Sequence, residues 1–190
     1  MTRKRVGVLI SGRGSNMAAL IEAALDPAYP AEIVCVVSNR PDAAGLALAR
    51  SHGIATHVVD HKNYASREGF DAALNGYLLG QNLDLIACAG FMRIMSPVLL
   101  APWAGRMINI HPSLLPLYKG LHTHERALAD GVKIHGCTVH FVSPKVDGGP
   151  IIAQAQVAVL PGDTPATLAA RVLVEEHKLY PKALATVALT

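Results

Sequence analysis

The stretch "RVGVLISGRGSNMAALIEAAL", residues 5–25, decides the fold class. Its first part is a short run of aliphatic residues, typical of a buried strand, and its last part spaces apolar residues as one face of a helix. A loop with two glycines, "SGRGSN", joins the two parts. The stretch therefore predicts a strand that turns sharply into a helix, which is the first unit of a β-α repeat.

The same alternation continues along the chain. Strand-like runs, "EIVCVVS", "THVVD", "LDLIACAG" and "RMINI", alternate with the helix-like stretches "AAGLALARSHG", "SREGFDAALNGYLLG" and "SPVLLAPW". Apolar strands separated by amphipathic helices predict a mostly parallel sheet with helices on both faces, an α/β, Rossmann-like fold. Two longer runs, "HGCTVHFV" and "PIIAQAQVAVL", flank the turn "SPKVDGG" and predict an antiparallel pair that extends the sheet. Thr164 and Pro165 predict the start of a last helix, which we expect to end near Tyr180 because Pro181 follows.

Composition limits the function classes. A chain of 190 residues fits one domain, and we expect residues 1–190 to form it. A net charge of +3 and an aromatic content of 5% argue against a nucleic-acid surface, although small anionic substrates fit this charge. The apolar run at residues 6–10 is shorter than a signal peptide requires, and no run reaches the length of a membrane span, so we expect a cytoplasmic protein. The three cysteines have no C-x-x-C spacing, and reduced buried thiols are expected.

The loop at residues 11–16 is the first candidate site. Glycines before a helix let a phosphate approach free backbone N–H groups, but the same sequence also suits a tight turn in which Ser15 or Asn16 caps the helix. A dinucleotide site would need a third glycine where Met17 stands and an acidic residue after the second strand, where Arg40 stands. An NADP-binding reductase or a nucleotide-binding module is therefore a weak alternative.

A polar pair ends the strand within "MINIHPSLLP", residues 107–116. Asn109 and His111 are two residues apart, so both side chains project to one face of the strand. Ligands of open α/β sheets bind at the carboxyl ends of the parallel strands, where this pair lies. If the "VDGGP" turn folds over the same edge, the Asp147 carboxylate would favour a protonated imidazole suited to acid catalysis. The turn sequence alone is equally explained by hairpin geometry.

A metal site is a further alternative, because five histidines fall within one third of the chain. They are His111, His122, His124, His135 and His140. No HExxH or Cys/His spacing accompanies them, so no metal is expected.

The motifs together resemble the folate-dependent phosphoribosylglycinamide formyltransferase family. They are "SGRGSN", "AGFMRIMSP", "NIHPSLLP", "GLHTHERAL", "HGCTVHFV", "DGGPIIAQ" and "EEHKLYP", and they extend from about Arg5 to Pro181. "NIHPSLLP" and "DGGP" are shared by other enzymes that use 10-formyltetrahydrofolate, whereas the "GSN" loop favours the glycinamide ribonucleotide acceptor.

The resemblance implies three sets of site residues. The catalytic set is Asn109, His111 and Asp147. The ribonucleotide set is Gly14, Ser15, Asn16 and Glu176. The folate set is Arg67, Met92, Arg93, Ile94, Met95, Asn109, Ser143 and Val146.

The implied reaction transfers the formyl group of 10-formyltetrahydrofolate to the glycinamide amine, in purine biosynthesis. Both partners are small molecules, no metal cofactor is implied, and a homodimer is left open. A 10-formyltetrahydrofolate hydrolase and a methionyl-tRNA formyltransferase stay open as alternatives within folate chemistry.

Glu176 can be examined from its spacing alone. With Leu168, Val172 and Leu179 it follows a helical period, which places a charge on the apolar stripe of the last helix. The alternative is that Glu175 faces inward and pairs with Arg171, leaving Glu176 in solvent. Periodicity does not decide between them.

Overall fold

A computed structural model describes residues 2–190, which form seven strands and six α-helices. The strands are β1 (Lys4–Ile10), β2 (Ala31–Ser38), β3 (Ala55–Val58), β4 (Leu85–Cys88), β5 (Met107–His111), β6 (Ile134–Phe141) and β7 (Ile151–Ala158). The helices are α1 (Ser15–Ala24), α2 (Ala44–Ser51), α3 (Arg67–Leu79), α4 (Pro97–Leu100), α5 (Thr123–Ala129) and α6 (Pro165–Ala188). Within residues 2–190, no helix is long and apolar enough to cross a membrane.

The strands form one mixed sheet in the order β3-β2-β1-β4-β5-β6-β7. The first five pair in parallel, whereas β6 runs antiparallel to β5 and β7 antiparallel to β6. The predicted α/β fold with a C-terminal antiparallel pair is therefore confirmed. Because β1, β4 and β5 are adjacent, the loops that follow them meet at one edge of the sheet.

Each face of the sheet has its own apolar core. Ile108 and Ile110 of β5 pack in the core shared with α1, α2 and α6, whereas Met107 packs in the core shared with α3 and α4. Since side chains alternate along a strand, Asn109 and His111 project to the side of Met107. The predicted separation of the polar pair from the two isoleucines is thus observed.

The last helix is longer than predicted. It continues through Pro181 to Ala188, although a proline removes one helical N–H donor and normally ends or bends a helix. Beyond the proline, Ala183, Leu184 and Val187 are buried in the core, and the Tyr29 hydroxyl donates to the Pro181 carbonyl at 2.6 Å. Tertiary packing therefore outweighs the local preference, and the expected end at Tyr180 was wrong.

Candidate active site at the carboxyl edge of the sheet

The structure brings Asn109, His111 and Asp147 together at the end of β5. His111 Nδ1 lies 3.4 Å from Asp147 Oδ2, and both side chains are nearly buried, 8% and 11% exposed. Asn109 pairs with His140 across β5 and β6, and its Nδ2 lies 3.3 Å from His140 Nε2. Since His140 Nε2 is also 3.6 Å from Asp147 Oδ1, the four side chains form one continuous cluster.

His140 is the member of this cluster that sequence reasoning missed. Its Nδ1 lies 2.9 Å from the Phe141 carbonyl, which only accepts, so Nδ1 carries the proton. Burial lowers the pKa of His140, outweighing the opposing effect of Asp147, and the ring is neutral at pH 7. Its Nε2 then accepts one N–H of Asn109, which fixes the orientation of the amide and leaves the second N–H of Asn109 available.

The other nitrogen of His111 faces a backbone carbonyl. His111 Nε2 lies 2.9 Å from Tyr118 O and therefore donates to it. Two residues later, Gly120 N donates to Asp147 Oδ2 at 2.8 Å. The segment from Tyr118 to Gly120 thus contacts both the imidazole and the carboxylate.

The turn that carries Asp147 is held close to the sheet. Asp147 has φ 48°, in the left-handed region that few residues other than glycine and asparagine or aspartate adopt. A Cβ at Gly149 would lie 1.8 Å from the Phe141 carbonyl oxygen, so only glycine permits this approach. Gly149 is therefore a requirement of the turn, and the turn brings the Asp147 carboxylate to His111.

The residues predicted to bind the ribonucleotide meet at the start of α1. Gly14 precedes the helix with φ 73°, and Ser15 is its first residue. The alternative in which Ser15 or Asn16 caps the helix was wrong, because Gly14 occupies the cap position without a side-chain bond. Asn16 instead donates from Nδ2 to Glu176 Oε2 at 2.7 Å, which joins α1 to α6.

Glu176 is buried, with 6% of its surface exposed. Burial raises the pKa of this carboxyl, and the hydrogen bond from Asn16 opposes the rise only in part. Arg171 pairs with Asp163 at 2.7 Å and Glu175 with Lys178 at 2.7 Å. The alternative in which Glu175 faces inward was therefore wrong.

Apart from Asn109, the residues predicted to contact folate come from three segments: the start of α3, the segment after β4 and the turn after β6. Met92 and Ile94 are 66% and 58% exposed, and Val146 is 50% exposed. Arg93 lies over the Phe70 ring at 4.8 Å. Met95 packs against the α3/α4 core, Ser143 donates to the Lys145 carbonyl within its own turn, and Arg67 is exposed at the start of α3.

A cavity of about 420 Å³ connects the loop after β1 with the segment after β4. It is lined by Ser11, Gly12, Asn39, Arg40, His61, Gly90, Met92 and Arg93. The Ser11 hydroxyl, which donates to Asn39 Oδ1 at 2.5 Å and accepts from Met92 N at 2.8 Å, holds the two segments together. The predicted ribonucleotide loop and the predicted folate segment are therefore neighbours.

The structure offers less support for the two alternatives, an NADP site and a metal site. Arg40, the residue on which an NADP site rests, is bound to the exposed Asp42 by two hydrogen bonds of 3.1 and 2.9 Å. Met17, in place of the third glycine, is buried in the core. Across residues 2–190, no group of three or more His, Cys, Asp or Glu side chains is placed to hold a metal ion.

Comparison with known proteins decides the family. Residues 4–184 match the formyl transferase family. The chain belongs to the formyl transferase family. The resemblance drawn from its motifs is thus confirmed.

Individual formyl transferases show the same relationship. Phosphoribosylglycinamide formyltransferase of Escherichia coli (strain K12) is 48% identical over 174 residues, covering 92% of this chain and 82% of that protein. The crystal structure of phosphoribosylglycinamide formyltransferase from Brucella melitensis is 54% identical and superposes with a TM-score of 0.95, covering 100% and 97% of the two chains.

One group of relatives is much longer than this formyl transferase chain. The human trifunctional purine biosynthetic protein adenosine-3 is 50% identical over 186 residues, which are 98% of this chain. The chain spans only 18% of the length of that relative.

Proposed function

We propose that this formyl transferase moves the formyl group of 10-formyltetrahydrofolate to the amine of N1-(5-phospho-D-ribosyl)glycinamide, within de novo purine biosynthesis. The observation that carries the proposal is the Asn109, His111 and Asp147 cluster at the end of β5. The exposed apolar segment after β4 is its neighbour at this edge of the sheet, and the glycine loop after β1 adjoins that segment. Both substrates are small molecules, and the proposal treats residues 1–190 as one cytoplasmic formyltransferase domain.

Formyl transfer requires hydrogen-bond donors at the carbonyl oxygen of the formyl group. The neutral amine attacks the formyl carbon, and the carbonyl oxygen gains negative charge in a tetrahedral intermediate. As the bond from carbon to folate N10 breaks, the attacking nitrogen loses a proton and N10 gains one. A preorganised donor at such an oxygen contributes about 3 kcal/mol to lowering the barrier.

Asn109 supplies the first donor. One N–H is directed at His140, and the second N–H is therefore held in a fixed direction, without reorganisation when charge develops. His111 supplies the second donor, and the Asp147 carboxylate, whose Oδ2 lies 3.4 Å from His111 Nδ1, orients the ring and stabilises positive charge on it.

The Tyr118 carbonyl accepts from His111 Nε2, the nitrogen that the substrate needs. A substrate oxygen gains this N–H only by replacing that carbonyl. We infer that the segment from Tyr118 to Gly120 shifts when both substrates are bound.

The two substrates occupy neighbouring subsites at this edge of the sheet. In the proposal, Gly14, Ser15 and Asn16 hold the phosphate at the start of α1, and Glu176 accepts a hydrogen bond from the glycinamide portion. The folate lies against Met92 and Ile94, and Arg67 contacts it at a further position. Holding both molecules in place removes the orientational cost of a reaction with two substrates.

An absorbance assay of 10-formylfolate deformylation tests the proposal, run with and without glycinamide ribonucleotide. We expect turnover only when the acceptor is present. Equal turnover without the acceptor would contradict the proposal and indicate a hydrolase.

A further inference from the structure

Tyr180 is a buried polar residue that the proposed mechanism does not use. It lies on α6 with none of its surface exposed, and its hydroxyl donates to Cys88 O at 2.8 Å and lies 3.4 Å from Ile108 O. Core packing alone would be satisfied by phenylalanine. The buried hydroxyl therefore serves to form hydrogen bonds, and its two carbonyl partners indicate its role.

Both carbonyls belong to segments that lead into the site. Cys88 is the last residue of β4 and the register partner of Asn109, and the segment that follows it carries the predicted folate residues Met92 to Met95. The Ile108 carbonyl belongs to the same peptide unit as the Asn109 N–H. The hydroxyl thus contacts the backbone of β4, which leads into the predicted folate segment, and the backbone of β5 next to Asn109.

Helix α6 also carries Glu176, the carboxylate of the predicted ribonucleotide subsite. Glu176 lies four residues before Tyr180, one helical turn away on the same face of α6. The hydrogen bonds of Tyr180 therefore fix α6, which carries Glu176, against β4 and β5. Strand β5 carries Asn109, and β4 leads into the predicted folate segment.

We propose that Tyr180 is a positioning residue that sets the distance between the acceptor subsite and the formyl-transfer centre. It touches no substrate and acts through the backbone of β4 and β5. This role rests on the proposed function. Burial raises the pKa of Tyr180 well above its usual value, so the hydroxyl stays a donor at every working pH.

Tyr29 provides a matched control. Its hydroxyl also donates to a backbone carbonyl at the same helix, Pro181 O at 2.6 Å, and burial raises its pKa as well. Tyr29→Phe and Tyr180→Phe each remove one phenol hydrogen bond to a carbonyl and keep the ring. Only the second change alters contacts with the strands that carry the site.

The test compares the two variants with the wild type by steady-state kinetics and thermal unfolding. For Tyr180→Phe we expect kcat to fall on the order of tenfold, with the KM of both substrates within about twofold, because misplaced reacting groups slow the chemical step. For Tyr29→Phe we expect kcat within about twofold of the wild type, with a Tm loss similar to that of Tyr180→Phe.

Two results would overturn the positioning role of Tyr180 alone. One is an active wild type with a Tyr180→Phe variant of equal kcat, and the other is a loss of kcat in Tyr29→Phe as large as that in Tyr180→Phe. A wild type without acceptor-dependent turnover would overturn the proposed function and this role together. The comparison of wild type with variant therefore separates the two failures.

Discussion

Replacing Asp147 by asparagine removes one charge from the cluster and little else. The side chain keeps its size, and an amide oxygen can still accept from Gly120 N, which donates to the carboxylate at 2.8 Å. What is lost is the attraction between the carboxylate and a protonated His111, whose Nδ1 lies 3.4 Å from Asp147 Oδ2. The substitution therefore tests the electrostatic task of Asp147 with its geometry retained.

The size of the effect follows from that distance. At an effective dielectric constant of about 20, two unit charges 3.4 Å apart attract by about 5 kcal/mol. Solvation of the separated charges offsets part of this attraction. We therefore expect the substitution to remove about 3 kcal/mol of transition-state stabilisation. Since about 1.4 kcal/mol corresponds to a factor of ten, kcat should fall on the order of a hundredfold.

The assay is formyl transfer at saturating concentrations of both substrates. Asp130→Asn is the matched control, because it also removes one carboxylate charge nearby while its amide oxygen can still accept from the Tyr118 hydroxyl. We expect the control to keep kcat within about threefold of the wild type. Asp147→Asn with kcat within threefold of the wild type, or a control that loses as much as Asp147→Asn, would refute the reasoning.

Three further predictions concern single side chains. Because burial raises the pKa of Glu176 above 4.5, stability falls as the pH rises from 4.5 through that raised pKa. Glu176→Gln should therefore raise Tm at pH 7 and lose this advantage below pH 4.5, while the KM for the ribonucleotide rises. Burial lowers the pKa of His135 to about 4, so stability is full above pH 6.5 and falls as the pH drops toward 4. His135→Gln should remove part of this loss, up to about 2 kcal/mol between pH 7 and pH 5, as measured by urea unfolding at both pH values. Arg67→Ala should raise the KM of the folate donor severalfold at unchanged kcat, and an unchanged donor KM would contradict its place in the folate subsite.

Strand periodicity predicted the part of the site that lies on one strand. Asn109 and His111 are two residues apart, so a local rule places both on one face. The β-α alternation in turn placed that strand end at the ligand edge of the sheet. Glu176 came from the resemblance to the family. Helical spacing placed it on the apolar stripe of the last helix but left Glu175 as an alternative, and the structure decided between the two.

Contacts between distant segments were beyond such rules. His140 reaches Asn109 through the antiparallel register of β5 with β6, which a loop and a helix separate in sequence. The Tyr118 carbonyl at His111 depends on the path of that loop, and no side-chain pattern encodes it. Pro181 was misjudged for a related reason, since core packing after the proline keeps α6 intact.

The central claim is that one formyl group leaves folate and arrives on the glycinamide amine at the Asn109, His111 and Asp147 cluster. The most direct measurement supplies 10-formyltetrahydrofolate with carbon-13 in the formyl group and follows the label by mass spectrometry. We predict that the label appears in the formylated ribonucleotide, in amounts equal to the tetrahydrofolate released. Label that appears as free formate, with the ribonucleotide unlabelled, would contradict the account.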